Sequence, residues 1–408
     1  MSASGEATHD VAVIGAGIVG LATAKALLER WPRLRVCVLE KDARIAGQQT
    51  SHNSGVIHSG IYYRPGSLKS EFCVRGRDAL VRFCEEREIP HELCGKLIVA
   101  TREEELPRLE TLAERATANG VRGHELVGPE RVAEIEPHVR ALRALWVPST
   151  GIVDFTLLAE AYATIVREAG GEVLLGARVE ASHVAGGVRY VQAGELERSA
   201  RLFVNCAGLH ADRVARRLGA RTPVRIVPFR GEYYTLRPER ADLVRGLIYP
   251  VPDPALPFLG VHFTRNIRGY VEAGPNAVLA SAREGYRKRD VNLGDVWEIA
   301  RYGGFWRVAL REWRTGLNEV HRSLRKSVFV RDLQRLIPEV RGDDLATGGS
   351  GVRAQAVAPD GALLDDFLIE RSEAALHVLN APSPGATSSL LIGEHIASMA
   401  GEMLGLAA

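Results

Sequence analysis

The sequence predicts an α/β protein of two domains sharing one cleft. Three observations predict it. A short apolar strand runs into a Gly-x-Gly-x-x-Gly turn near the start, and helix and strand signals alternate along the rest of the chain. The 408 residues also exceed what one core normally holds.

The turn reads Asp10-Val-Ala-Val-Ile-Gly15-Ala16-Gly17-Ile18-Val19-Gly20, and a second strand, Arg35-Val-Cys-Val-Leu-Glu40, follows the helix expected over 18–30. This is the pattern of a dinucleotide-binding βαβ unit. Gly15 permits the tight turn, Gly17 lets backbone approach a pyrophosphate, and Gly20 lets the helix pack closely on the sheet. The NH groups at the helix N-terminus, around Ala16, Ile18 and Val19, then face the phosphates. Glu40, at the end of the second strand and followed by Lys41, is placed to accept hydrogen bonds from the ribose hydroxyls. A carboxylate there disfavours a 2′-phosphate.

A loop of small polar residues comes next, Gly47-Gln-Gln-Thr50-Ser51-His-Asn-Ser-Gly55, leading into Val56-Ile-His58-Ser-Gly-Ile-Tyr62-Tyr63. Glycines and hydroxyls in such density mark backbone that approaches a ligand. Apolar periodicity gives a helix over 68–90, a strand over 95–100 and charged helices over 102–120 and 129–136. A second α/β stretch has a helix over 155–169, a strand over 172–176 and a hairpin over 178–196 that includes Val179. Its apolar strand Arg201-Leu-Phe-Val-Asn-Cys-Ala207-Gly208 is a second place for backbone to meet the dinucleotide. Strands fill 223–282, helix covers roughly 292–336, and the chain closes with a strand at 376–380, the loop Ala381-Pro-Ser383-Pro-Gly385-Ala386-Thr387-Ser388-Ser389 and a helix to 404.

That last loop separates the two common dinucleotides. A nicotinamide enzyme has no need of a small-residue loop and helix aimed back at the first domain from the far C-terminus. In a two-domain flavoprotein the N-terminus of such a helix faces the isoalloxazine and stabilises its anionic reduced form. The plainer reading is a terminal helix that only caps the sheet, with Ser383 or Thr387 as its cap.

Hydrophobic residues make up 46% and charged residues 25%, and 52 basic against 50 acidic residues leave a net charge of +2. Neither nucleic acid nor a strongly charged partner is indicated. The five cysteines are scattered, with no Cys-x-x-Cys pair, so neither a disulfide framework nor a thiolate metal site is expected, and no other metal-ligand spacing is present. The polar start, residues 1–9, carries no apolar targeting core, and no stretch approaches the roughly eighteen apolar residues of a membrane span. A cytoplasmic protein, at most peripheral to the inner face of the membrane, is expected. Its oligomeric state is not legible.

Several segments carry a family resemblance. The opening glycine turn, the Glu40 strand and the Thr50-Ser51 loop resemble the D-amino-acid oxidase-like FAD oxidoreductases. Ser51-His-Asn-Ser-Gly-Val-Ile-His58-Ser-Gly-Ile-Tyr-Tyr63, Cys94-Gly-Lys-Leu-Ile-Val-Ala100, Val261-His-Phe-Thr264, Gly274-Pro-Asn-Ala-Val-Leu-Ala280, Gly351-Val-Arg-Ala-Gln355 and Leu379-Asn-Ala-Pro-Ser-Pro-Gly-Ala-Thr-Ser-Ser389 resemble the L-2-hydroxyglutarate dehydrogenase/oxidase branch. Gly385 departs from the alanine expected there. The resemblance covers about residues 9–400. It implies FAD and a discontinuous Rossmann-like FAD domain of glutathione-reductase type, made of 1–90, 145–222 and 340–408. It also implies a smaller α+β substrate domain, 91–144 and 223–339, with a mostly antiparallel sheet. The implied reaction oxidises L-2-hydroxyglutarate to 2-oxoglutarate with hydride passing to flavin N5, the electrons going on to oxygen or to a quinone or other electron-transfer partner.

Such chemistry needs a base for the hydroxyl proton. His58, on the segment after the flavin loop, is the first choice, with a loop-fixing role as the alternative, and His262 competes. The two carboxylates need cations. Arg353, in the glycine-rich approach Gly348-Gly-Ser-Gly-Val-Arg353, is the main candidate because its planar fork pairs bidentately. Lys69 and Lys96 join it because only six residues are lysine. Tyr62, Tyr234 and Ser383 are candidate hydroxyl donors, Tyr234 being equally readable as a half-buried strand aromatic. The other open readings are a related FAD oxidase of an amino acid, an N-methyl amino acid or another 2-hydroxy acid, and an FAD-binding redox or interaction module without turnover.

One stripe stands outside this scheme. Trp306, Leu310, Trp313, Leu317, Val320 and Leu324 recur at spacings of four and three among arginines. The pattern suits a buried helix face or subunit contact, or a helix lying on an anionic membrane.

Overall fold

The computed structural model describes residues 7–253 and 259–407; the polar start over 1–6 lies outside them. The first strand, His9–Ile14, sits in the middle of an eight-stranded sheet. It pairs in parallel with Val36–Leu39 on one side and with Leu196–Asn205 on the other. Glu172–Leu174 extends the parallel set beyond Val36–Leu39, and Ala375–Asn380 joins the outer end of Leu196–Asn205. Strands buried on both faces read as unbroken apolar runs, which is why Val36–Leu39 has no polar alternation. The helices Ile18–Arg30, Phe155–Glu168 and Ser389–Leu404 cover one face, burying Leu21, Leu27, Tyr162 and Ile396 against Val11, Val13 and Val38. The hairpin Val179–Ala185 and Val188–Ala193 continues the sheet antiparallel to Leu196–Asn205.

The second sheet has nine strands and is antiparallel except where Leu247–Pro250 runs beside Lys96–Ala100. One face packs on helix Lys326–Leu333 through Phe329 and Leu333. The other meets helix Leu106–Ala118 through Leu109 and Leu112, together with Val56, Ile61 and Tyr62 from the first unit. A small sheet of Val56–Ile57, Gly151–Val153 and His91–Glu92 runs between the two large ones.

Two expected boundaries move. The divide at 145 falls inside strand Arg143–Val147, whose whole length pairs with Lys96–Ala100 in the second sheet. The divide at 340 precedes strand Leu345–Val357, which pairs along its length with Arg225–Leu236 and so also belongs to the second sheet. Ladder pairing decides membership there, and nothing in the glycine-rich sequence 348–351 announces it.

The helical stretch over 292–336 is four helices, Leu293–Ala300, Gly303–Arg311, Trp313–Leu324 and Lys326–Leu333. The apolar stripe therefore spans two helices, and the chain does not bury it: Leu310 and Leu324 are each 75% exposed and Trp313 54%. No described helix is long and apolar enough to cross a membrane.

Candidate active site

One cleft of about 1360 Å3 runs from the glycine turn to the junction of the two large sheets. At its first end, Gly15 adopts φ 108°, a conformation that favours glycine, and a Cβ there would lie 2.5 Å from the Cys206 carbonyl oxygen. Gly20 has the Gly15 carbonyl directly against the place a Cβ would take, so the helix sits tight on the strand as its spacing requires. Gly17 caps that helix with no side-chain hydrogen bond, and its first turn carries no acid. The end is thus left electropositive toward the cleft.

Glu40 is buried, its two carboxylate oxygens accepting from Ala16 N at 2.8 Å and Asp42 N at 2.9 Å. Burial lifts its carboxyl above the usual range while those two NH donors pull against it. Thr50 Oγ1 accepts from Ile18 N at 3.0 Å, tying the small-residue loop to the helix start. Gly15, Gly17, Ile18, Val19, Glu40, Lys41, Thr50, Val56, Val179, Ala207 and Gly208 line this half of the cleft. Ala16, Gly20 and Gly55 do not line it: Gly20 packs against the Gly15 carbonyl and Gly55 against the Val153 carbonyl. Ser51 turns away to the surface, where its hydroxyl donates to the Gln48 carbonyl. The Lys41 ammonium is held by Asp42 at 2.6 Å and Glu284 at 2.8 Å. Hydrogen bonding from His210, with Lys41 adding to it, brings the Glu284 carboxyl down to about 2.

At the far end the terminal loop meets the His58 segment. Thr387 Oγ1 accepts from His58 N at 3.1 Å and donates to the Val56 carbonyl at 3.3 Å. The last helix has Ser388 at its cap with no side-chain cap bond. Thr387 therefore does not cap that helix but fastens two loops together. Gly385, Ala386 and Thr387 line the cleft, whereas the Ser388 hydroxyl is buried and unpartnered beside it.

Around this end stand His58, Tyr62, Lys69, His262, Arg353 and Ser383. His58 Nε2 lies 3.2 Å from Ser383 Oγ, and its buried Nδ1 has no protein partner. Burial, with the Lys96 ammonium adding to it, pushes the His58 imidazole down to about 3. His262 Nδ1 donates to the Gly260 carbonyl at 2.9 Å, because a carbonyl can only accept. Its Nε2 is then the unprotonated nitrogen of the neutral ring. Burial holds that ring down at about 4, and it stacks on Tyr249 at 3.9 Å between centroids. Lys69 reaches Asp365 at 2.9 Å and lies 4.9 Å from the centre of the Tyr63 ring.

Two candidates sit elsewhere than expected. Side chains alternate along strand Arg225–Leu236, so Tyr233 faces the cleft and Tyr234 packs edge-on against Phe329 in the second core. Lys96 is fully buried behind the Tyr62 and Tyr249 rings and does not open onto the cleft. Tyr63, Tyr233 and Tyr249 also line the cleft: Tyr63 lies in the turn after the His58 segment, and Tyr233 and Tyr249 lie in strands, where a tyrosine looks the same on either face in the sequence.

The donor set fits FAD: an open helix N-terminus for the pyrophosphate, a buried carboxylate for the ribose, small-residue loops for the ring, and room for substrate beyond it. The profile of the family described as FAD dependent oxidoreductase matches residues 10–399. The L-2-hydroxyglutarate dehydrogenase of Indibacter alkaliphilus is 50% identical over 384 residues, covering 94% of this chain and 96% of that one. The protein of the same name from Escherichia coli K12 is 46% identical over 393 residues, covering 96% and 92%. Among solved structures, the L-alpha-glycerophosphate oxidase of Mycoplasma pneumoniae with FAD bound superposes with a TM-score of 0.78 at 20% identity, covering 98% of this chain and 95% of that one. Glycine oxidase from Geobacillus kaustophilus gives 0.71 at 21%, covering 97% and 95%, so both share the fold. The chain belongs to the FAD-dependent oxidoreductase family, on the branch formed by the L-2-hydroxyglutarate dehydrogenases.

Proposed function

We propose that the protein oxidises L-2-hydroxyglutarate to 2-oxoglutarate. The observation that carries this is the grouping of two neutral histidines with the cations Arg353 and Lys69 at the end of the cleft away from the glycine turn. FAD supplies the hydride acceptor when bound. The chain's own residues then have three tasks. Arg353 and Lys69 hold carboxylate oxygens, Arg353 through its planar fork. Tyr63 and Tyr233, beside Arg353, narrow the cleft and limit water near the reacting carbon. A histidine takes the hydroxyl proton.

His58 is the proposed base, because it stands between the Thr50 loop and the terminal loop, with Ser383 steadying Nε2. A specific observation favours a second reading with His262 as base: the Gly260 carbonyl fixes its tautomer and leaves Nε2 free to accept. Anaerobic mixing of the FAD-loaded protein with L-2-hydroxyglutarate tests the function. Loss of the yellow absorbance is expected. An unchanged spectrum, with bleaching by sarcosine or glycine instead, overturns it.

The exposed stripe supports a location for the electron acceptor. Trp297, Trp306, Trp313 and Leu317 project from one group of helices, with exposed Arg307 and Arg314 among them. Aromatic and leucine side chains beside a cationic rim match an anionic lipid surface. We read this face as resting on such a surface and delivering electrons to a quinone there. Flotation with phosphatidylglycerol vesicles, compared with phosphatidylcholine vesicles, checks it; equal absence from both overturns it.

A further inference from the structure

Lys96 begins the strand Lys96–Ala100, on the same face as Ile98 and Ala100. That face packs into an apolar cluster with Val56, Ile61, Leu247 and Tyr249. The ammonium is fully buried, 4.4 Å from the centre of the Tyr249 ring and 4.9 Å from that of Tyr62, and it has no hydrogen-bond acceptor among the described residues. The Tyr62 hydroxyl is buried and unpartnered as well. Both rings, together with His58 and His262, form one wall of the cleft. Arg353 and Lys69 stand at the same end of the cleft, in contact with Tyr63, Tyr233 and Asp365, and Lys69 also bears on His58. A cation with no counter-charge in an apolar cluster is costly to fold around, and an apolar residue of similar length would serve packing better. Its field, screened by little water, extends through the two tyrosine rings to the cleft.

We infer that Lys96 is a positioning and specificity-determining residue, giving the Tyr62–Tyr249–His262 wall a positive potential that selects a substrate with a second carboxylate over one that ends in an alkyl group. The inference rests on the dicarboxylate reading above. Lys96 makes no contact with substrate; it acts through the tyrosines.

The pH behaviour of this wall separates Lys96 from its neighbours. Burial brings the Lys96 ammonium down to about 7. Burial pushes Cys73 up to about 12 and Cys94 to about 11, and carries the Tyr62 and Tyr249 phenols well above their usual range. His58 and His262 are already neutral above about 4. Glu272, which bears on Tyr249, is also lifted by burial to about 7, and its titration persists when Lys96 is replaced.

The test uses the FAD-loaded protein and two unreactive ligands, glutarate and butyrate, titrated while the flavin absorbance is followed. Wild type should prefer glutarate, and that preference should fade as pH rises through about 7. Lys96→Met should weaken glutarate roughly tenfold or more, leave butyrate nearly unchanged and reduce the pH dependence of the preference to the part that Glu272 contributes, while its melting temperature holds or rises. Lys96→Arg, which keeps the charge, should retain the preference. A Lys96→Met protein that keeps the glutarate preference overturns the inference. So does one that weakens both ligands equally and melts lower, since that is a packing role. Wild type that prefers glutarate without being bleached by L-2-hydroxyglutarate overturns the proposed reaction alone. Wild type that shows no glutarate preference overturns the role of Lys96 even if the reaction stands.

Discussion

The Ser383 hydroxyl lies 3.2 Å from His58 Nε2, joining residues 325 positions apart in the chain. The contact forms because Thr387, four residues on, accepts from the His58 backbone NH and donates to Val56. Ser383→Ala removes one ring partner and leaves both backbone ties. The rate of flavin reduction should fall about fivefold while FAD stays bound, since one neutral hydrogen bond contributes about 1 kcal/mol. Stopped-flow reduction beside a measurement of bound FAD checks this. A drop in FAD content in place of a drop in rate would give Ser383 a structural role.

The two histidines are distinguished by single substitutions. His58→Asn should slow anaerobic reduction by roughly a hundredfold or more if it is the base, with His262→Asn losing much less, and the reverse order would make His262 the base. Both rings titrate below the usual histidine value because burial disfavours the cation. A group whose folded pKa is depressed contributes stability above its unfolded value near 6.5 and loses it as pH falls toward 3 to 4. Thermal melts of the two variants should therefore lose less stability than wild type over that acid interval.

Glu40 is the proposed ribose acceptor at the glycine-turn end of the cleft. Glu40→Ala leaves the Ala16 and Asp42 NH groups without their acceptor at the point where the strand turns into the helix. A loss of about 1–3 kcal/mol of stability is expected, together with weaker retention of FAD on dialysis. Glu40→Gln, which keeps one acceptor oxygen, should fall between. Melting curves and the ratio of flavin to protein absorbance are the measurements.

Much of this is legible in the sequence. The glycine turn, Glu40 and the terminal loop obey local rules: a strand feeding a helix, an acid at a set distance, small residues where backbone meets ligand. Local rules identify elements and their neighbours in sequence. They do not say which face of a strand looks inward, so the sequence points to Tyr234 where Tyr233 lines the cleft. They also do not reveal ladder partners, so the strand Leu345–Val357 was grouped with the dinucleotide unit although it pairs with Arg225–Leu236. Lys96 stands out in the sequence through the scarcity of lysine, and the fold sets it behind two tyrosines. The stripe from Trp306 to Leu324 had the period of a buried face, and periodicity is the same whether the partner is this chain or something else.

Arg283 connects the two units near the glycine-turn end of the cleft. Its guanidinium is buried and pairs with the buried carboxylate of Asp212, with Nη2 to Oδ2 at 2.9 Å, and it also reaches Glu298 at 3.1 Å. The next residue, Glu284, holds Lys41 and His210 at the cleft. Arg283→Met leaves the Asp212 charge with backbone NH donors and the half-buried Arg216 at 3.8 Å but without its buried cation, and such a break costs about 3–5 kcal/mol. The loss should be accompanied by easier release of FAD, because the Glu284 contacts lose their anchor. Asp212→Asn added to Arg283→Met removes the stranded charge and should return part of the stability without restoring FAD retention. If the double variant is no more stable than the single one, the cost does not come from the buried carboxylate, and urea melts of the three proteins decide between the two outcomes.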